Sequence, residues 1–152
     1  MKITLSVIKA DVGSIGGHTM PSERMVDAVR QKVSSEVSSG FLMDSFVSYT
    51  GDDIAILMSH THGENNAEVH QLAWNACISA TEIAREYGLY GAGQDLLVDA
   101  PSCNVRGAGP AVAEIEFEHT IEPPRPAESF MVFAAEKCGP GAYNLPMFLA
   151  FA

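Results

Sequence analysis

Two adjacent carboxylates, Asp52 and Asp53, stand in the segment Thr50-Gly51-Asp52-Asp53 between two apolar runs, FLMDSFVSYT and IAILMSHTH. Neighbouring carboxylates repel each other unless a proton or a cation neutralises them. At the tip of a hairpin they can splay towards two metal ions, or one can bind while the other faces water. Gly-Asp-Asp is also ordinary turn chemistry, so the tripeptide alone carries either reading. Asp11 and His18 form a second candidate group. Asp11 closes the first apolar stretch, a position where sheets commonly present functional side chains. His18 follows across a loop whose Gly13, Gly16 and Gly17 permit close backbone approach to a ligand. The string GSIGGH is neither a Walker phosphate loop nor a dinucleotide fingerprint, so the glycines by themselves are unspecific.

The remaining candidates have simpler readings. His60 and His62 lie two apart on one strand face and could chelate a metal, but capping a solvated strand end fits them better. His70, on a helix flank, and His119, beside a proline-rich segment, read as surface groups, and Trp74 as packing. Glu114, Glu116 and Glu118 alternate with Ala113, Ile115 and Phe117, the pattern of a half-buried strand with a solvated acidic face. Cys77, Cys103 and Cys138 are odd in number and scattered, which points to reduced thiols and not to a disulfide framework or a zinc site.

These side chains must be positioned by a small set of elements. MKITLSVIKA reads as a strand. Ser22 is a suitable N-cap for a helix in which Met25, Val29, Val33 and Val37 recur every four residues, with Gly40 just past its end. The two runs flanking the aspartate pair read as an antiparallel hairpin with both aspartates at its tip. Over 65–87, Val69, Leu72, Ala73, Ala76, Ala80, Ile83, Ala84 and Tyr87 form one helical stripe, which Gly88 ends. A long glycine-rich loop follows, then the strand AVAEIEFE, a proline-stiffened excursion and the strand FMVFAAEK. The order β-α-β-β-α-loop-β-β predicts an α+β fold, largely antiparallel, with the helices on one face.

Composition bounds the function. The 152 residues carry nineteen acidic against nine basic side chains, a net charge of −10, and 47% are hydrophobic. That size fits one domain, 1–152, and the composition excludes a disordered chain. The acidity disfavours nucleic acid and anionic membrane as partners, while leaving room for a phosphorylated small molecule bridged by a divalent cation. No apolar run reaches the roughly 20 residues of a membrane span, and Asp11 comes too early for a signal peptide. A cytoplasmic location is the expectation.

Taken together, IKADVGSIGGH, GDD, THGENNAEVHQLAWNA, GLYGAGQDLL, CNVRGAGP and EKCGPGAYNLP occur in the order seen in one family. The chain resembles, from Met1 to about Pro146, the bifunctional fructose 1,6-bisphosphate aldolase/phosphatases of archaea and deep-branching bacteria. The resemblance implies a four-layer α-β-β-α sandwich, of which this chain holds part, assembled into homo-oligomers (octamers in the family). It implies a gluconeogenic enzyme that condenses glyceraldehyde 3-phosphate with dihydroxyacetone phosphate through a lysine Schiff base, then hydrolyses the 1-phosphate of fructose 1,6-bisphosphate with magnesium. By motif position Asp11, His18, Asp52, Asp53 and Gln94 would be magnesium ligands, Asp11 also being the base that activates water. His18, Tyr90, Cys103, Asn104 and Lys137 would contact the sugar phosphate.

Two positions depart from the family pattern. Glu136 stands where the family has the metal-binding aspartate of its ADK string, and Cys103 stands where glycine is usual in SGN. The segment 122–128 looks like an insertion. Lys2, Lys9, Lys32 and Lys137 are the only lysines, and none lies in a context matching the Schiff-base motif. The expectation is therefore a chain carrying most of the metal and phosphate site, with the lysine supplied by a further segment or a complementary C-terminal half. The alternative is a non-catalytic relative that binds metal and sugar phosphate or only oligomerises.

Overall fold

The computed structural model describes residues 1–96, 107, 109–118 and 132. Four strands, β1 (Lys2–Asp11), β2 (Asp44–Thr50), β3 (Asp53–His60) and β4 (Ala111–Glu118), form one antiparallel sheet in the order β2-β3-β1-β4. Two helices, α1 (Glu23–Ser38) and α2 (Ala67–Glu86), pack against one another, and a short 3-10 turn covers Gln94–Leu96. This is the α+β arrangement expected from the sequence, with one sheet and one helical layer among the described residues. No described helix is long and apolar enough to cross a membrane.

Local chemistry sets the helix bounds. The Ser22 side chain accepts the Met25 N–H, and Asn66 accepts from Glu68 and Val69, so each helix starts with its orphan donors capped. Gly40, at φ 83°, takes the left-handed conformation that ends α1, as predicted. Period-2 alternation then sorts the sheet. Ile8, Ala10, Val47, Ile54, Ile56 and Met58 share one core with Met25, Val29 and Val33 of α1 and Val69, Ala73, Ala76 and Ala80 of α2. The opposite face carries rows such as Phe46–Leu57–Val7–Ala113.

Several expectations change here. Thr50 pairs with Asp53, so the hairpin turn is Gly51-Asp52 alone, with Gly51 at φ 60° in its first position. Asp53 is the first residue of β3 and pairs on its other side with Asp11. The acidic face of β4 is not the solvated one. Glu114 shares a row with Ser6 and Met58 on the helix side, its side chain only 7% exposed, while Ile115 on the opposite face is 46% exposed. Alternation identifies two faces; it does not say which of them meets the helices. Trp74 also departs from the packing role expected of it, being 38% exposed on α2.

His60 is fully buried, not a cap on a wet strand end. Its Nε2 lies 2.8 Å from Ser6 Oγ, and its Nδ1 accepts the His62 N–H at 3.2 Å, which places the ring proton on Nε2. Ser6 in turn donates to Glu114 at 2.6 Å, and Glu114 also takes bonds from Asn65 N–H and from His70 at 3.0 Å. His70 is thus tied to β4 instead of being a bare surface group. Cys77 is buried, and burial pushes its thiol up to about 12, so it is an inert thiol. The expectations for His119, Cys103, Cys138 and the strand FMVFAAEK lie outside the described residues.

Candidate metal centre

The end of β1, the loop after it and the β2–β3 turn converge. Central β1 is flanked by β3, so its last residue, Asp11, emerges beside the hairpin tip that carries Asp52. His18 reaches back across the glycine loop to both. Its Nδ1 stands 2.9 Å from Asp52 Oδ2 and 3.7 Å from Asp11 Oδ2. One ligating atom from each of Asp11, His18 and Asp52 lies within 4.8 Å of the others, the spacing at which they can share a cation. The two aspartates are buried, and His18 is about one-third exposed, so it forms the lip of the site.

Asp11 is held from two directions. Its Oδ1 accepts the Gly13 N–H at 3.1 Å, and its own N–H donates to Asp95 Oδ2 at 3.0 Å. Burial, reinforced by the charge of Asp52, raises its carboxyl to about 7, against the lowering effect of the Gly13 bond. Gly13 itself has φ 137°, a conformation other residues rarely adopt, and a Cβ there would stand 2.6 Å from Ala84 Cβ of α2. The loop is thereby pinned between helix and sheet.

Tyr90 sits beside the lip. Its backbone bridges Ser14 in both directions, at 2.8 and 3.1 Å, and its ring meets His18 edge-on with centroids 5.0 Å apart. Gln94 opens the 3-10 turn and is half-buried; its N–H bonds Gly91 O and its carbonyl accepts Gly107 N–H. Asp53 is not one of the three that converge. As the cross-strand neighbour of Asp11 it lies on the same sheet face, where it forms an ion pair with Lys9. Cys103, Asn104, Glu136 and Lys137 lie outside the described residues.

Asp95 supports the centre without belonging to any local motif. It is fully buried and holds the main chain of Asp11 across 84 positions of sequence. No local pattern marks it, because its partner is brought there only by the fold.

The donor set suits a divalent cation. Carboxylate oxygens are the hard ligands that magnesium and manganese take, and the one imidazole would also suit zinc or iron. The buried Oδ1 of Asp53, one residue from the cluster, accepts no hydrogen bond among the described residues, an oxygen for which a cation is a natural partner.

Residues 2–152 match the family described as fructose-1,6-bisphosphatase. The chain is 57% identical over 152 residues to the fructose-1,6-bisphosphate aldolase/phosphatase of Thermus thermophilus, covering all of this chain and 40% of that protein. It is 55% identical over 151 residues to the protein of the same name from Cenarchaeum symbiosum, covering 99% of this chain and 38% of that one. For the Methanothermobacter marburgensis protein of that name the identity is 47% over 152 residues, with 100% and 40% coverage. The chain spans about two fifths of the length of these relatives.

Proposed function

The chain belongs to the fructose-1,6-bisphosphatase family, and from that premise we propose that it carries the cation and phosphate site of a magnesium-dependent fructose 1,6-bisphosphate phosphatase. The observation that carries this reading is the convergence of Asp11, His18 and Asp52 within 4.8 Å at the mouth of the sheet. A divalent cation held there would neutralise phosphate charge and lower the pKa of an attacking water.

In this reading the chain's own residues divide the work. From the resemblance, Asp11 would be the base that takes a proton from the attacking water. Asp52 and His18 would hold the cation, and Gly13 and Asp95 fix Asp11 in place. His18 and Tyr90, at the lip, face an incoming sugar phosphate. Asp53 and Gln94, and from the resemblance Glu136, would complete the ligand set, with Cys103, Asn104 and Lys137 contacting the substrate. Residues 1–152 act as one domain of a longer, oligomeric cytoplasmic enzyme, whose aldol chemistry, with dihydroxyacetone phosphate as the Schiff-base partner, uses a lysine outside this chain.

Glu136, standing where the family has an aspartate, favours a second reading, in which this chain binds metal and sugar phosphate without turnover. Two measurements decide. Calorimetric titration with magnesium should give binding that Asp52→Asn weakens at least tenfold; equal binding by both proteins would overturn the site. Phosphate release from fructose 1,6-bisphosphate with magnesium separates a catalytic chain from a binding module.

A further inference from the structure

Lys9 occupies an unusual place. It lies on the sheet face opposite the helices, in the row Ser48–Ala55–Lys9–Ala111, with the apolar row Phe46–Leu57–Val7–Ala113 beside it. Its side chain is only 11% exposed, and that of its partner Asp53 is 1% exposed. An ammonium group buried on such a face requires an anionic partner. Asp53 is such a partner among the described residues, and it is also the cross-strand neighbour of Asp11 and the chain neighbour of Asp52.

The pair is asymmetric. Lys9 engages Asp53 Oδ2, while the buried Oδ1 accepts no hydrogen bond among the described residues. A purely structural buried ion pair is expected to satisfy both oxygens, because a half-satisfied buried carboxylate is costly. A counter-ion that must leave has no such requirement. A divalent cation arriving at Asp53 would meet the ammonium a few ångströms away, and in so dry a place like charges repel strongly. Ammonium and cation are alternatives.

We propose that Lys9 is the resident counter-ion of Asp53 and a positioning residue of the metal centre. It neutralises Asp53 until a second divalent cation, beside the one on Asp11, His18 and Asp52, displaces it. Lys9 then sets how tightly that second position fills. The inference rests on the metal site proposed above and adds to it an exchange of partners at Asp53.

The test follows Lys9 directly in the wild-type chain. Brief acetylation read by mass spectrometry reports the reactivity of each lysine, with Lys2 and Lys32 as internal references. Saturating magnesium should raise Lys9 labelling at least threefold and leave Lys2 and Lys32 unchanged. Calorimetry on variants gives the second arm. Lys9→Met should bind the second cation at least tenfold more tightly than wild type, Lys9→Arg no more tightly, and Lys9→Met/Asp53→Asn should lose the gain. Where Lys9→Met fails to fold without cation, the labelling and Lys9→Arg arms still decide. Magnesium that binds with Lys9 labelling unchanged, or an Lys9→Met gain that survives in the double variant, overturns the exchange while leaving the metal site intact. Absence of any magnesium binding overturns both.

Discussion

The main-chain N–H of Asp11 donates to Asp95 Oδ2 at 3.0 Å, tying the last residue of β1 to the 3-10 turn that follows α2. Both groups are buried, so the bond has no water to replace it. Asp95→Ala should leave a buried N–H unsatisfied and cost roughly 1–3 kcal/mol. Asp95→Asn keeps an acceptor oxygen and should recover much of that. Urea denaturation of the two variants at neutral pH measures the difference; equal losses would show that the carboxylate acts through something other than this bond.

Gly13→Ala attacks the same anchor from the loop. The residue has φ 137°, and the new Cβ would stand 2.6 Å from Ala84 Cβ, so backbone strain and a side-chain clash combine. Together they should destabilise the fold by roughly 2–5 kcal/mol. Ala84→Gly in the Gly13→Ala background removes the clash and leaves the strain. The double variant should therefore be more stable than the sum of the two single losses, and a thermal-unfolding cycle that finds simple additivity would reject the clash.

Much of this arrangement was legible in the residues, and the reasons for the rest are specific. Ser22 and Gly40 act through local capping, so they could be read from their neighbours alone. The stripe from Val69 to Ala84 needed only the helical period. The division between Asp52 in the turn and Asp53 in β3 did not follow from the tripeptide, because it depends on the pairing of Thr50 with Asp53. The orientation of β4 did not follow, because Glu114 is turned inward by Ser6, Asn65 and His70, three partners from distant segments. Asp95 was invisible for the same reason.

The His60 network has a pH signature. Burial lowers the His60 pKa, with the charge of His62 and His70 adding to it and Glu114 opposing. A histidine kept neutral in the fold contributes stability that is present above its ordinary value of about 6.5 and is lost as pH falls below it. Its Nδ1 already accepts the His62 N–H, so protonation there breaks a bond as well. His60→Gln, which can accept and donate without titrating, should remove a slope of at most about 1.4 kcal/mol per pH unit below pH 6.5. Denaturation midpoints of both proteins between pH 4.5 and 7.5 test this, and parallel profiles would place the titration elsewhere.

Asp11 should show the opposite sign, and a cation should reverse it. Its carboxyl is raised from 3.8 to about 7, first by burial and then by Asp52. A carboxyl that prefers its neutral form in the fold favours folding below the unfolded pKa, and the benefit is lost as pH climbs towards about 7. Relative to Asp11→Asn, which does not titrate, the cation-free wild type should lose stability across that window, by up to about 4 kcal/mol. A divalent ion on Asp11, His18 and Asp52 favours the ionised carboxylate, so saturating magnesium should cancel the loss in wild type and leave Asp11→Asn almost unchanged. Paired thermal scans from pH 4 to 8, with chelator and with magnesium, give four curves. Should the wild-type and variant curves stay parallel in chelator, the raised Asp11 is wrong; should magnesium stabilise both proteins equally, the cation lies away from Asp11.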